Sequence, residues 1–306
     1  MKKAIILAAV ATFGSVYLSS SALAQTTIYS DNFASDSALS SSYVNIDNIS
    51  ATATEWSFTP NSELTLTTAA SGKIDEMVGS FSAVALSQVN QYVSFIVNFN
   101  SPNIGQSGTA GSLLTSLDYS GGVALNYSPE QAVQTTNVTA GYVGDMGNLA
   151  MNSTPKTGTK FFAKTGTGNN DLSYNSDATP DTQLATTAPN SANANLVNND
   201  AYTLTYTITA LNAGGSQEEV TEQLYDHNMG AMVDNFSVVA TNGASFITPT
   251  TTYDTFDMGL YTGSESAGYN LNLTSLSVVT GVPEPTSLAL TGAGMGLAFL
   301  IRFRRR

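Results

Sequence analysis

The stretch Ala201–Leu211, AYTLTYTITAL, alternates apolar and polar side chains over its full length. Its larger apolar residues, Tyr202, Leu204, Tyr206 and Ile208, all fall on one side, and threonines occupy the other. A period of two is the pattern of a β-strand, because successive side chains of a strand point to opposite faces. The stretch therefore predicts a strand with one apolar face.

A hairpin is predicted directly after this strand. Residues 212–215, Asn-Ala-Gly-Gly, form a turn sequence, and Val220–Tyr225 supplies the returning strand. The segment Gln217–Tyr225 contains three glutamates and could instead form a helical turn, although the hairpin is favoured. Glu218, Glu219 and Glu222 are predicted to form a solvated charged edge.

Similar alternation extends along most of the chain and predicts an all-β fold. A weaker region, 144–200, is rich in Gly, Asn, Thr, Asp and Pro and predicts a loop-rich insertion with one or two short strands. Ten to fourteen strands without a fixed-period repeat indicate a two-sheet antiparallel sandwich. The other predicted strands are Thr27–Phe33, Ala53–Phe58, Glu63–Thr68, Ser80–Ala85, Tyr92–Phe99, Ser112–Asp118, Gly122–Tyr127, Met232–Ala240, Asp254–Tyr261 and Tyr269–Thr280.

The order of these strands resembles that of concanavalin-like jelly rolls. A first strand ending in Asp31-Asn32-Phe33, a long hairpin, the strand FDMGLY and a closing strand LTSLSVV carry the resemblance. It implies that the first and last strands pair.

The N-terminus has the form of a signal peptide, predicted over residues 1–24. Lys2 and Lys3 precede an apolar run, and Ala22-Leu23-Ala24 has the small-x-small pattern of a signal-peptidase site. Cleavage is predicted before Gln25. The exported domain then spans residues 25–281.

The C-terminal stretch 282–306 has three parts. Pro283-Glu284-Pro285 comes first. Its two prolines favour an extended backbone around the carboxylate of Glu284. An uncharged apolar run at 286–301 predicts a short transmembrane helix, somewhat below the roughly 20 residues of a comfortable span. A basic tail follows, and its arginines are expected to stay on the cytoplasmic side: Arg302, Arg304, Arg305 and Arg306.

These three parts, in this order, resemble the PEP-CTERM sorting signal of Gram-negative bacteria. The resemblance implies a membrane enzyme, an exosortase, that recognises the signal and cuts near Pro283-Glu284-Pro285. It also implies secretion machinery as a partner, a transient inner-membrane anchor, and release to the cell surface or the extracellular matrix, where exopolysaccharide is a candidate partner. The alternative is an ordinary C-terminal anchor that is never cut.

Charge excludes nucleic acid as a partner. The chain has a formal net charge of -13, and four lysines with no arginine remain between the two signals: Lys73, Lys156, Lys160 and Lys164. An acidic surface repels phosphate backbones. Cysteine is absent, which excludes disulfides, thiolate nucleophiles and zinc–thiolate sites.

No catalytic constellation is evident in the sequence. The single histidine, His227, has no nucleophile elbow to serve, and a hydrogen-bonded loop histidine is the favoured interpretation. The E-x-D-x-x-E string of jelly-roll glycosidases is absent. Trp56, beside Glu55, could form a platform for a sugar ring, and a core position is the alternative.

Calcium is the only metal that the sequence supports, in a structural role, and no cofactor is predicted. Candidate oxygen ligands lie at Asp31-Asn32, Asn169-Asn170-Asp171, Asn198-Asn199-Asp200 and Asp234-Asn235. None has EF-hand spacing, so no metal site is assigned.

The predicted function is that of an exported, non-enzymatic protein of the cell surface or extracellular matrix, sorted through its C-terminus. Two alternatives stay open. One is a carbohydrate-binding jelly-roll module acting on exopolysaccharide. The other is a polysaccharide hydrolase or lyase that uses carboxylates with no recognisable motif.

Overall fold

The described part of the chain consists of strands, turns and short connections. It comes from a computed structural model and covers residues 23–33, 43–47, 56–59, 63–67, 73–100, 111–121, 143–150, 160–165, 182–186, 197–241, 250–262 and 270–283. The strands are β1 (Leu23–Asp31), β2 (Tyr43–Asp47), β3 (Trp56–Thr59), β4 (Glu63–Thr67), β5 (Lys73–Ala85), β6 (Tyr92–Asn100), β7 (Gly111–Tyr119), β8 (Val143–Ala150), β9 (Lys160–Thr165), β10 (Thr182–Thr186), β11 (Ala201–Ala210), β12 (Gln217–Asp226), β13 (Ala231–Thr241), β14 (Thr252–Thr262) and β15 (Asn270–Pro283).

These strands form two sheets. The eight-stranded sheet has the order β13-β12-β11-β6-β15-β4-β3, and β1 also pairs with β15. The seven-stranded sheet has the order β10-β9-β8-β7-β14-β5-β2. The predicted two-sheet antiparallel sandwich is confirmed, as is the pairing of the first strand with the last.

The hairpin of β11 and β12 is confirmed in register. Thr203 lies opposite Tyr225 and Ile208 opposite Val220. The backbone N–H of Leu211 donates to the carbonyl of Gln217 at 2.8 Å and closes the hairpin. On its other side β11 pairs with β6, so the predicted apolar faces of both strands point into the same core.

Aromatic side chains fill the space between the sheets. The ring of Phe256 on β14 stacks on Phe95 of β6 at 4.8 Å between centroids, and Tyr29 approaches it at 5.1 Å. A second group joins Phe161 to Phe236 at 5.1 Å and to Tyr206 at 6.1 Å. Each buried aromatic or aliphatic side chain contributes about 1.5–3 kcal/mol through removal from water.

The predicted loop-rich insertion contains three strands, β8, β9 and β10, where one or two were expected. They extend the seven-stranded sheet by consecutive antiparallel pairing. Their alternation is hard to see in the sequence because Asp145 and Gly147 lie on the same side of β8 as the core residue Leu149, where apolar side chains would be expected.

Several predictions lie outside the described residues. Among them are most of the signal peptide, the strand Gly122–Tyr127, the membrane segment 286–301 and the arginine tail. β1 begins at Leu23 and includes Ala24 and Gln25, whereas Ala22 lies outside. The described ranges hold no helix with the length and apolar character of a membrane crossing. Thr26–Thr280 forms one compact unit.

Candidate functional site

The outward side of the eight-stranded sheet carries many hydroxyl and amide side chains, with Ile96, Glu219 and Val239 among them, and we call it the polar face. One row crosses the sheet as Ser237, Thr221, Thr207 and Ser94 on β13, β12, β11 and β6. These positions alternate with core residues on the same strands, so they point away from the core, although Ser94 is itself only 4% exposed. Threonine suits such positions because a β-branched side chain favours strand geometry.

A chain of hydrogen bonds orders one end of the polar face. The amide nitrogen Nδ2 of Asn98 donates to Oγ of Ser275 at 2.9 Å, and Oγ1 of Thr203 donates to Oδ1 of Asn98 at 2.5 Å. Nε2 of His227 lies 2.7 Å from the same Thr203 oxygen. Because the single Thr203 proton is given to Asn98, Nε2 of His227 must be the donor in that contact.

Two rings lie at this end. Tyr225 is directly opposite Thr203 on the neighbouring strand, and its ring meets His227 edge to face at 5.1 Å. His227 is exposed in the turn after β12, and Met229 and Met232 nearby are also exposed. The interpretation of His227 as a hydrogen-bonded loop residue is confirmed.

The arrangement suits recognition of a polyhydroxylated surface. Hydroxyl and amide groups both donate and accept hydrogen bonds, so they can match sugar hydroxyls in either role. A tyrosine ring offers an apolar face with a polar tip. The hydrogen bonds between the side chains hold their orientations before a ligand arrives, which lowers the ordering cost of binding.

A second feature lies in the interior and corrects a prediction. Glu218 and Glu222 were expected on a solvated edge, yet both are 0% exposed. Glu219, between them, is partly exposed on the polar face. The alternation of β12 explains this outcome, because Glu218 and Glu222 share their side of the strand with the core residues Val220 and Leu224.

The two glutamates meet polar groups of the opposite sheet and form what we call the acid cluster. It consists of Thr115, Asp145, Tyr206, Glu218, Glu222 and Tyr253. The Tyr253 hydroxyl donates to Oε2 of Glu218 at 2.7 Å, and Oγ1 of Thr115 donates to Oε2 of Glu222 at 3.1 Å.

Gly147 leaves the space that Glu222 uses. A Cβ atom at Gly147 would lie 2.4 Å from Oε2 of Glu222 and 3.1 Å from Cε2 of Tyr206. Any larger residue would collide with the carboxyl group, because real Cβ atoms keep at least about 3 Å from their neighbours. The buried position of the Glu222 carboxyl group therefore requires a glycine at position 147.

Burial sets the protonation of the acid cluster. It raises the pKa of Glu218 to about 9, with a further contribution from the charge of Asp145, while the Tyr253 hydrogen bond acts in the other direction. Burial, then Asp234, raises the pKa of Glu222 to about 8. Burial also raises the pKa of Asp145 well above its usual range, and Asp118 adds to the effect.

The acid cluster is closed to solvent, so it cannot receive a polymeric substrate in this conformation. Three or more acidic or histidine side chains in a geometry suited to a metal ion do not occur within the described ranges. Burial raises the pKa values of its carboxyl groups and so favours their neutral form.

Acidic residues also lie on the far side of the seven-stranded sheet. Glu76, Asp118 and Asp257 occupy adjacent strands, alternate with the core residues Met77, Leu117 and Phe256, and are all 0% exposed. Asp257 is diagonal to the other two, at a typical Cα spacing of about 7–8 Å. Sequence reasoning missed this set, because three strands far apart in the chain contribute to it.

The other candidate ligand residues either make hydrogen bonds within the fold or have side chains outside the described residues. Trp56 begins β3, and its side chain is not described, so its role as a sugar platform stays a prediction. Asp31 accepts from the backbone of Phe33 at 2.8 Å and from the hydroxyl of Tyr43 at 2.6 Å. Asp200 accepts from Asn228 at 2.6 Å.

Pro283 is the last described residue and ends β15, whereas Glu284 and Pro285 lie outside the description. Their assigned role stays a prediction.

Comparison with known proteins finds likeness in structure alone. No protein-family model matches the chain, and no curated protein matches it by sequence. Solved structures of similar fold include peanut lectin, at 12% identity and a TM-score of 0.43 over 84% of this chain and 97% of that one. The lectin UEA-II in complex with galactose has 8% identity and a TM-score of 0.45, over 84% of this chain and 100% of that one.

A phage protein module also has a similar fold. The CBM2 module of the evolved Dit protein of Lactobacillus casei BL23 phage J-1 is 10% identical, with a TM-score of 0.47 over 85% of this chain and 98% of that one. These likenesses concern the arrangement of strands, and they assign no ligand.

Proposed function

We propose that the chain is an exported, non-enzymatic β-sandwich that binds carbohydrate through the polar face of its eight-stranded sheet. The observation that carries the proposal is the hydrogen-bonded chain Ser275–Asn98–Thr203–His227, with the Tyr225 ring beside it. Exopolysaccharide at the cell surface is the proposed ligand class.

The low cation content supports this choice of ligand. Only Lys73, Lys156, Lys160 and Lys164 lie between the predicted signals, so an anionic polymer would be repelled. A neutral polysaccharide needs hydroxyl and amide partners rather than cations, and the polar face supplies them. The names of the similar lectin and carbohydrate-binding structures point to the same ligand class.

Binding to a panel of neutral and acidic polysaccharides, by glycan array and affinity electrophoresis, tests the proposal on protein recovered from the secreted fraction. Tyr225→Ala should weaken binding about 2- to 10-fold, because an aromatic contact contributes about 0.5–1.5 kcal/mol. His227→Ala should have a similar effect, since it opens one end of the hydrogen-bonded chain.

Tyr92→Ala is the matched control. Tyr92 lies on the same face opposite Thr209, six residues along β11 from Thr203, or about 20 Å. Its replacement should leave binding unchanged. Wild-type protein that binds nothing on the panel at high concentration, or loss of binding that is equal in all three variants, would contradict a site at the Tyr225 end.

Export and sorting complete the proposal. The signal peptide 1–24 directs secretion, and an exosortase removes the C-terminal stretch near Pro283-Glu284-Pro285. Intact-mass measurement of protein recovered outside the cell is the test, and a recovered chain that still carries Arg306 would contradict cleavage. Reducing-sugar release from the same polysaccharide panel tests the absence of enzymatic activity, and turnover that is lost in Asp257→Asn would favour a hydrolase instead.

A further inference from the structure

We propose that Asp145 and Glu218 share a proton between the two sheets, and that loss of this proton at alkaline pH loosens the β11–β13 side of the sandwich. The acid cluster would then act as a proton-dependent contact, independent of the carbohydrate proposal above. Asp145 belongs to β8 of the seven-stranded sheet and Glu218 to β12 of the eight-stranded sheet.

The buried oxygens of Asp145 and Glu218 outnumber the hydrogen-bond donors that face them. Tyr253 has a single hydroxyl proton, and it is directed to Oε2 of Glu218 at 2.7 Å. Oε1 of Glu218 and both side-chain oxygens of Asp145 are fully buried and lack a partner of normal hydrogen-bond geometry. Tyr253 also interacts with Asp145, but its one proton cannot serve both carboxyl groups. Two acceptors with nothing to accept repel each other, whereas one proton placed between them satisfies an oxygen of each.

No cation among the described side chains balances the charge of the pair. The neighbouring strands contribute acidic and phenolic side chains instead. Lys160 and Lys164 of β9 occupy sequence positions of the opposite parity to the buried Phe161. The described ionisable groups around the pair are Glu222 and Asp226 on β12, Tyr206 on β11, Asp234 on β13, Asp118 on β7 and Tyr253 on β14.

The direction of the pH effect follows from burial. The pKa of Glu218 is raised from 4.5 in an exposed setting to about 9, mainly by burial. Below the lower value both folded and unfolded chains hold the proton, so the contact is fully present. Between the two values the unfolded chain releases a proton that the folded chain keeps, and stability falls as pH rises.

Urea unfolding of the secreted protein between pH 5 and pH 8 measures this effect. Each retained proton should raise the unfolding equilibrium constant by up to about tenfold per pH unit. Glu218→Gln keeps the shape of the side chain and supplies an N–H donor for Asp145. The rise in the unfolding equilibrium constant between pH 5 and pH 8 should therefore be about 100- to 1000-fold smaller in this variant than in the wild type. Glu219→Gln, one residue away on the polar face, removes the same formal charge and should leave the dependence unchanged.

Infrared spectroscopy of the folded protein gives a readout that a packing defect would not move. The carbonyl band of a neutral carboxylic acid should persist at pH 7 and lose intensity in Glu218→Gln and in Asp145→Asn. If Glu218→Gln fails to fold, Asp145→Asn and the wild-type band still decide the matter.

Three results would overturn the proposal. One is a wild-type spectrum at pH 7 with no neutral acid band. Another is an unfolding constant whose pH dependence is the same in Glu218→Gln as in Glu219→Gln. A third is a neutral acid band at pH 7 that disappears on addition of calcium, which would assign the cluster to a metal ion rather than a proton.

Discussion

Replacing Gly79 by alanine tests how tightly the aromatic centre of the sandwich is packed. Gly79 on β5 lies opposite Phe256 on β14. A Cβ atom at Gly79 would sit 2.3 Å from Cζ of Phe256 and 2.8 Å from each Cε atom, and these are its three nearest neighbours. The ring is itself held by Phe95 at 4.8 Å and Tyr29 at 5.1 Å, so it cannot move aside freely. Overpacking of this kind costs about 1–3 kcal/mol.

The clash has a single partner, which makes the reasoning testable by a double-mutant cycle. Phe256→Leu removes the Cζ and Cε atoms and by itself should cost about 1–3 kcal/mol through lost packing. In the double variant the added methyl group has room, so the combined cost should fall short of the sum by about 1–3 kcal/mol. Urea unfolding followed by far-ultraviolet circular dichroism gives the four free energies. Costs that add to within about 0.5 kcal/mol would show that the ring does not occupy the position over Gly79.

Three further substitutions report on other contacts, each by the shift in urea unfolding free energy. Gly147→Ala should cost about 1–3 kcal/mol because its Cβ atom would meet Oε2 of Glu222 at 2.4 Å, and Glu222→Gln would not relieve it, since the amide is as large. Tyr43→Phe should cost about 1–2 kcal/mol because it removes the 2.6 Å hydrogen bond to Asp31; an unchanged stability would contradict that bond. Asp254→Ala should cost about 1–3 kcal/mol because Ser120 loses acceptors for its backbone N–H and its hydroxyl, both at 2.8 Å, whereas Asp254→Asn, which keeps one acceptor oxygen, should cost less.

Strands with uninterrupted alternation were predictable from sequence. β11 buries one side completely, and its apolar residues recur at every second position; β6 does the same at Val93, Phe95, Val97 and Phe99, with Ile96 as an additional apolar residue on the outward side. In such strands a one-residue shift would expose the whole apolar set, so pattern and structure must agree. The same logic predicted the hairpin to β12 and the position of the closing strand.

The acid cluster was missed because residue type was given more weight than position. Glu218 and Glu222 have the same parity as Val220 and Leu224, and that period of two places all four on one side of the strand. The signal that could have found them was therefore present. For β8 the signal was weaker, since Asp145 and Gly147 replace apolar residues at the inward positions and only Leu149 keeps the pattern.

The scarcity of cations connects the composition of the chain to its interior chemistry. Buried carboxylates are ordinarily paired with Lys or Arg, or they bind a metal ion. Between the predicted signals this chain has no arginine and four lysines, and none of the described side chains in the acid cluster is basic. Burial raises the pKa values of Glu218, Glu222 and Asp145 and so favours their protonated forms. A domain with such an interior should tolerate acid better than alkali, because protonation removes the repulsion that deprotonation would create.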